Sequence, residues 1–336
     1  MIGERAGGRE ACCALDIQKA GRPCAGTAPP CVLGDETAAA STTMVLHSPA
    51  VCGMAKSRMM LADILIRALS YTLYVDKVQD DFVRGHTWPK HAISMGGVDA
   101  MWNVANLTEK VISAPVEGDF VEAGVWKGAN GIIARKLFDA ADDATRTVWC
   151  LDSYAWLPPP DERYKKDSGD KHHTYAKRHP VLRVDLNDVS SIYRRFGIDV
   201  SDASQVGGTK LVKGFFNETA PKVAGMVRHI AILRLDGDMY QSTWEVLIAM
   251  YGKVSLGGYV IIDDYGLRGA KGATDDFRKC ARISAPFHFF LPENTPYPGG
   301  RTGKVFWQKT AEVTPELQAQ PCYSVHRRVL PGTGYR

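Results

Sequence analysis

LRLDGDMYQST (Leu233–Thr243) and YVIIDDYG (Tyr259–Gly266) decide the fold. Each starts as a short apolar run and ends in paired carboxylates, the pattern of a buried strand stopping at a loop. If both runs are parallel strands, Asp236, Asp263 and Asp264 emerge at one sheet edge. A helix beginning near Ser242 bridges them, and Gly257 and Gly258 return the chain. Carboxylates brought together in a cleft raise one another's proton affinity, and burial penalises their ionisation further. A divalent cation removes that cost, and Mg²⁺ prefers hard oxygen ligands of this kind. Asp236, Asp263 and Asp264 are therefore the expected direct ligands. Asp238, two residues further on, can instead cap the helix or orient a ligand. Standing alone, each of these aspartates would read as a cap or a solvated loop residue.

Working outward, further short apolar segments punctuated by Gly and Asp follow Pro115. Strands are expected at Asp119–Ala123, Thr147–Leu151, Lys210–Lys213, His229–Leu235 and Tyr259–Ile262, with helices over Ala129–Phe138, Ser190–Phe196 and Thr243–Val254. Phe287–Phe290 and Lys304–Gln308 fit an antiparallel edge. The alternation specifies an α/β protein, a doubly wound seven-stranded sheet with N-terminal helical elements. Those elements are expected over Met59–Leu73 and Gly97–Ile112, where apolar residues recur at helical intervals. They can cover an active-site entrance, or their side chains, Met101 and Trp102 included, can simply pack the core.

The first βα loop lies in DFVEAGVWKGANG (119–131), where a strand ends, Gly124 and Gly128 sit four apart, and a helix follows. Gly124 permits a tight turn and Gly128 limits side-chain bulk at the helix start. The spacing lacks the close G-x-G-x-x-G of a dinucleotide site, and a glycine turn needed only for packing would look the same. VWCLDSY then places Asp152 at the carboxyl end of the second strand, where a carboxylate can accept both hydroxyls of a ribose. The two loops together fit an adenosyl cofactor, with Glu122 supporting the ammonium of its amino-acid end.

Composition narrows the alternatives. The chain has 336 residues, is 45% hydrophobic and carries a formal net charge of +4, too small an excess for a polyanion binder. No nucleic-acid or membrane partner is expected, since no stretch approaches about 18 consecutive apolar residues. The expected location is the cytoplasm. Of eight cysteines, Cys12, Cys13, Cys24, Cys31 and Cys52 lie in the first 57 residues, with neither a disulfide framework nor zinc spacing. Residues 1–57 are rich in Ala, Gly, Pro, Ser and Thr and read as a disordered extension. Residues 58–114 form the helical entrance or oligomerisation region, 115–310 the catalytic domain, and 311–336 an irregular tail.

Several of these stretches are specific taken together: VEAGVWKGAN, VWCLDSY, VKGFFNETAP, ILRLDGDMYQSTWEVL, GGYVIIDDYG and the DDFR of residues 275–278. From about residue 60 to 309 the chain resembles the macrocin O-methyltransferase family. That resemblance implies methylation of a sugar hydroxyl of a bacterial natural product, using S-adenosylmethionine and Mg²⁺. It implies Glu122, Gly124, Gly128, Asp152 and Ser153 around the cofactor, with Asp236, Asp263 and Asp264 around the metal. Asp236 is implied as the catalytic base, receiving the proton of a hydroxyl whose pKa the metal lowers. Phe215, in Lys213–Phe216, is implied to lie near the cofactor, and a core role for Phe215 or Phe216 is an equal alternative. Trp88–Asp99 and the Pro-rich loop Ser153–Tyr175 are implied entrance elements, and the N-terminal helices a homo-oligomer contact. The acceptor is expected to be a small glycosylated molecule.

DSY, AWLPPP and HAISM depart from the family's commoner words, which bears on the acceptor rather than the methyl donor. His172 and His173 are adjacent and do not converge on one ion from a regular strand; acceptor contact and a solvated loop remain open for them. His91 carries no specific signal, and His229, ahead of an apolar strand, reads as structural. The rival functions are methylation of a catechol or other phenol, nicotinamide-dependent hydride transfer, and non-catalytic binding of an adenosyl ligand.

Overall fold

In a computed structural model the described residues are 49–70, 93–114, 116–167, 182–200, 206–290, 303–314 and 319. The expectations for His91, His172, His173, most of the N-terminal extension and most of the C-terminal tail lie outside them. The chain divides after Ser57. Residues 49–57 begin the helix α1 (Pro49–Ser70), and all contacts below belong to the unit that starts at Arg58.

After α2 (Gly97–Ser113) the elements alternate as the sequence predicts: β1 (Asp119–Ala123), α3 (Ala129–Asp139), β2 (Thr147–Asp152), α4 (Leu186–Arg195) and β3 (Gly208–Lys213). They continue with α5 (Phe216–Met226), β4 (Ile230–Leu235), α6 (Tyr240–Met250), β5 (Val254–Ile262), α7 (Arg268–Cys280), β6 (His288–Phe289) and β7 (Val305–Gln308). The seven strands form one sheet in the order β3-β2-β1-β4-β5-β7-β6. The first five are parallel, and β7 runs antiparallel to both β5 and β6. This is the class I methyltransferase architecture. Its order reverses between β1 and β4, the place where α/β sheets open a ligand crevice beyond the strand ends.

The core lies on both faces of the sheet. All six residues of β4 are buried, as expected for a parallel strand covered on each side. On one face α2 and α3 pack with Phe120, Val148, Ile232 and Ile261; on the other Trp244, Phe277 and Trp307 gather over Val121, Leu233 and Val260. Burying each such side chain contributes about 1.5–3 kcal/mol. Arg58 of α1 holds α2 through two bonds to the Glu109 carboxylate, at 2.7 and 2.8 Å, and Ser113 donates to the same group.

Several boundaries differ from the sequence reading. Helix α6 starts at Tyr240 because Asp167 caps it, its two carboxylate oxygens accepting from the amides of Tyr240 and Gln241 at 2.7 and 2.9 Å. It ends at Met250, a short 3₁₀ turn follows, and Val254 already belongs to β5. Asp185 caps α4, accepting from the amide of Asn187, so that helix begins earlier than Ser190. Helices α5 and α7 are additions: α5 tolerates Pro221 within it, and α7 is polar over most of its surface. Of the described cysteines, Cys150 is free and buried, and Cys280 is disulfide-bonded. No helix among the described residues is long and apolar enough to cross a membrane.

Candidate active site

The carboxyl ends of β1, β2, β3 and β4 surround a pocket open to solvent. Gly124, Asp152, Ser153, Phe215 and Asp236 of the expected site line it, together with Trp156, Phe216, Gln241 and Glu245. Glu122 and Gly128, expected at the cofactor, are not among its lining residues.

The reasons are local. Gly124 has φ +91°, and a Cβ there would lie 1.7 Å from the carbonyl oxygen of Asp236, so the glycine lets β1 and β4 end side by side. Gly128, also at +91°, lies under Tyr193, whose ring a Cβ would meet at 2.4 Å and whose hydroxyl donates to the Gly128 carbonyl. Packing thus accounts for Gly128 outright, while Gly124 both packs and lines the pocket. Glu122 is buried in the sheet; its Oε1 accepts from Asn130 at 3.1 Å and from Arg234 at 2.8 Å. Burial pushes the Glu122 carboxyl up to about 7, opposed chiefly by Arg234.

Asp152 is already an acceptor within the protein. Its Oδ2 takes the amides of Val125 and Trp126 at 2.8 and 3.2 Å, and its Oδ1 takes the amide of Tyr154 at 2.8 Å. It therefore pins the first βα loop against the second; the two amides fill Oδ2, and Oδ1, which also faces the Ser153 hydroxyl at 3.4 Å, is the oxygen left with acceptor capacity for a ligand hydroxyl. The loops after β1, β2 and β4 each hold a non-glycine residue in the left-handed region, Trp126, Tyr154 and Asp238. Such strain concentrates where a surrounding structure fixes a binding surface. Ser153 donates to the carbonyl of Trp156 and so shapes the turn that carries Trp156, Leu157 and Pro158 over the pocket.

Asp236, Asp263 and Asp264 converge as expected, each offering an oxygen within 4.8 Å of the others. Asp236 belongs to both the pocket and this cluster, with its side chain 33% exposed. Arg234 lies beneath them with 1% exposure, donating to Asp236 at 2.9 Å, Asp263 at 2.6 Å and Glu122. Lys304, just before β7, pairs with the other oxygen of Asp263. Asp263 is consequently held below the usual carboxylate range despite its burial, by Lys304 first and Arg234 next. Asp236 is raised by burial and by Asp263, and Asp264 is pushed well above its ordinary value by burial and by Asp236.

Four carboxyl groups, Glu122 included, against two cations leave two negative charges when all are ionised. A divalent cation bound by hard oxygens fits that donor set. Asp236 and Asp264 have the greater free ligand capacity, since both oxygens of Asp263 already accept protein bonds. Asp238 is tied in through its backbone, its amide donating to Asp264 at 2.9 Å. The entrance segment reaches the cluster too: a Cβ on Gly96 would stand 3.5 Å from Arg234 and 3.6 Å from Asp263.

Comparison with known proteins adds an independent line. Residues 52–290 match the family model described as Macrocin-O-methyltransferase (TylF). The chain is 35% identical over 230 residues to a Demethyldecarbamoylnovobiocin O-methyltransferase of Streptomyces niveus, spanning 64% of this chain and 84% of that one. It is 30% identical over 273 residues to an 8-demethyl-8-(2,3-dimethoxy-alpha-L-rhamnosyl)-tetracenomycin-C 4'-O-methyltransferase of Streptomyces olivaceus, spanning 78% and 97%. Among solved structures, the O-methyltransferase NovP superposes with a TM-score of 0.64 at 31% identity, covering 76% of this chain and all of that one.

Proposed function

The chain belongs to the macrocin O-methyltransferase family, and we propose that it methylates a sugar hydroxyl of a small-molecule natural product with Mg²⁺ at the carboxylate cluster. It is a class I, S-adenosylmethionine-dependent O-methyltransferase by family and fold. The sugar acceptor rests on the relatives, one of which is named for a rhamnosyl-bearing substrate. When bound, the donor supplies an electrophilic methyl group and the cation a Lewis acid that acidifies a coordinated hydroxyl.

The observation that carries this reading is the double membership of Asp236, which lines the pocket and stands in the three-carboxylate cluster. A hydroxyl approaching the cluster therefore arrives beside the pocket. Asp236 is the proton acceptor there, its carboxylate held by Arg234 Nη2 and its side chain part-exposed toward the pocket, whereas both oxygens of Asp263 are already paired. Asp263 and Asp264 hold the cation with it. Asp152, fixed by three amides, presents the remaining acceptor capacity of its Oδ1 to a ribose hydroxyl, and Gly124 leaves the pocket wall without a side chain. Phe215 and Trp156 wall off water from the donor. Alignment of the two reactants supplies much of the rate, since orientation alone contributes about 7–11 kcal/mol in favourable cases.

Incubating the protein with S-adenosylmethionine and paired sugar-bearing and phenolic acceptors, with Mg²⁺ or with EDTA, tests the reading. Mass spectrometry should find a methylated glycoside that disappears with EDTA. Methylation confined to phenols would refute the sugar assignment, and undiminished turnover in EDTA would refute the metal.

A further inference from the structure

The residues singled out from sequence include none assigned to the base of the donor, whose amino edge calls for a polar partner. The pocket does contain such a group. Glu245 lies on α6 one turn beyond Gln241, and both line the pocket with Ser242. Glu245 is 5% exposed, and its Oε1 accepts from Gln241 Nε2 at 3.0 Å and from the Tyr164 hydroxyl at 3.4 Å. The hydrogen bonds it accepts from described residues all go to Oε1. Oε2 is left open to the pocket that Glu245 lines, an acceptor that a ligand donor can satisfy.

The pocket's layout identifies that donor. Asp236 marks the reacting end, and Asp152 the ribose. The remaining wall consists of Trp156, Leu157, Pro158, Phe215 and Phe216, a largely apolar surface suited to a flat heterocycle. Glu245 is the one acidic side chain of the pocket besides Asp152 and Asp236. We infer that Glu245 is the base-reading residue of the cofactor site, its Oε2 accepting a hydrogen bond from the 6-amino group of adenine. Gln241 and Tyr164 are positioning residues that fix the carboxyl by occupying its other oxygen. Burial also pushes the Glu245 carboxyl up to about 7, consistent with an acid held in an apolar enclosure rather than in water. This inference rests on the adenosyl donor of the proposed function and goes beyond it by assigning base selectivity to one side chain.

The test is calorimetric titration at pH 8 with two probes, S-adenosylhomocysteine and its analogue carrying purine in place of adenine, which lacks only the 6-amino group. Wild-type protein should bind the adenine compound at least tenfold more tightly. Glu245→Met, which keeps the volume and removes the acceptor, should bring the two affinities to within about twofold. Glu245→Gln, whose amide oxygen can still accept, should keep most of the preference. A merely structural role would weaken both probes alike and leave their ratio unchanged. A wild-type ratio near one, or a ratio untouched in a folded Met variant, would overturn the assignment, and the wild-type arm decides even if that variant does not fold. Failure of the wild type to bind either probe would instead count against the cofactor reading itself.

Discussion

Replacing Arg234 by Met strips the sheet edge of the cation that three carboxylates share. The guanidinium donates at 2.8 Å to Glu122, 2.9 Å to Asp236 and 2.6 Å to Asp263, from a side chain only 1% exposed. Removing one partner of a buried ion pair costs about 3–5 kcal/mol. Here three groups lose a partner, which argues for the upper end. Two features oppose it: Glu122, already pushed up to about 7, can take a proton, and Asp236 is exposed enough to be hydrated. The expected loss is therefore about 4 kcal/mol, within a total stability of about 5–15 kcal/mol for a domain. Urea denaturation followed by circular dichroism and tryptophan fluorescence reads it directly, as a lower midpoint with unchanged slope. A loss below about 1 kcal/mol, the value of an exposed pair, would refute the claim that Arg234 assembles the cluster.

Asp236→Asn should lower turnover by about 10²–10⁴-fold, the usual contribution of a positioned base, while leaving the far-ultraviolet spectrum and thermal midpoint near wild type. A folded variant with wild-type turnover would exclude Asp236 as the base. Gly128→Ala should destabilise by at least about 2 kcal/mol through the clash with Tyr193 and the strain of φ +91°, and Tyr193→Leu in the same chain should recover part of that loss. A double variant no more stable than Gly128→Ala alone would show that the ring is not the obstacle. Glu245, raised from 4.5 to about 7, binds its proton more tightly in the folded chain, so its contribution to stability is present at low pH and is lost as pH rises from about 4.5 to 7. Denaturation of Glu245→Gln and wild type at pH 5 and pH 8 should therefore differ by about 3 kcal/mol more at the higher pH; parallel pH profiles would refute the shift.

The strand ends were legible because their signal is local. An apolar run closed by Asp announces both a buried strand and the place where it stops, and Asp236, Asp263 and Asp264 meet as that pattern requires. What pattern reading missed is carried by residues distant in sequence. Gly128 is explained by Tyr193 on α4, and the start of α6 by Asp167, 73 residues before Tyr240. Arg234 did carry a usable sign, since a lone cation inside ILRL must find carboxylates if that strand is covered on both faces. Lys304 carried none, because its role depends on β7 returning antiparallel beside β5. Glu245 sits in the helical run that follows the aspartates and is marked as a pocket residue only by how α6 turns against the loop after β2.

That loop has a fixed beginning and a fixed end. It leaves β2 at Asp152, which clasps the first βα turn, and by Asp167 it has become the cap of α6; the turn between carries Trp156, Leu157 and Pro158. A segment anchored at both extremities can exchange its middle without unseating either anchor. For an enzyme engineer it is a cassette: grafts confined to residues 155–160 can reshape the mouth of the pocket while the helix cap and the donor-side clasp carry on unchanged.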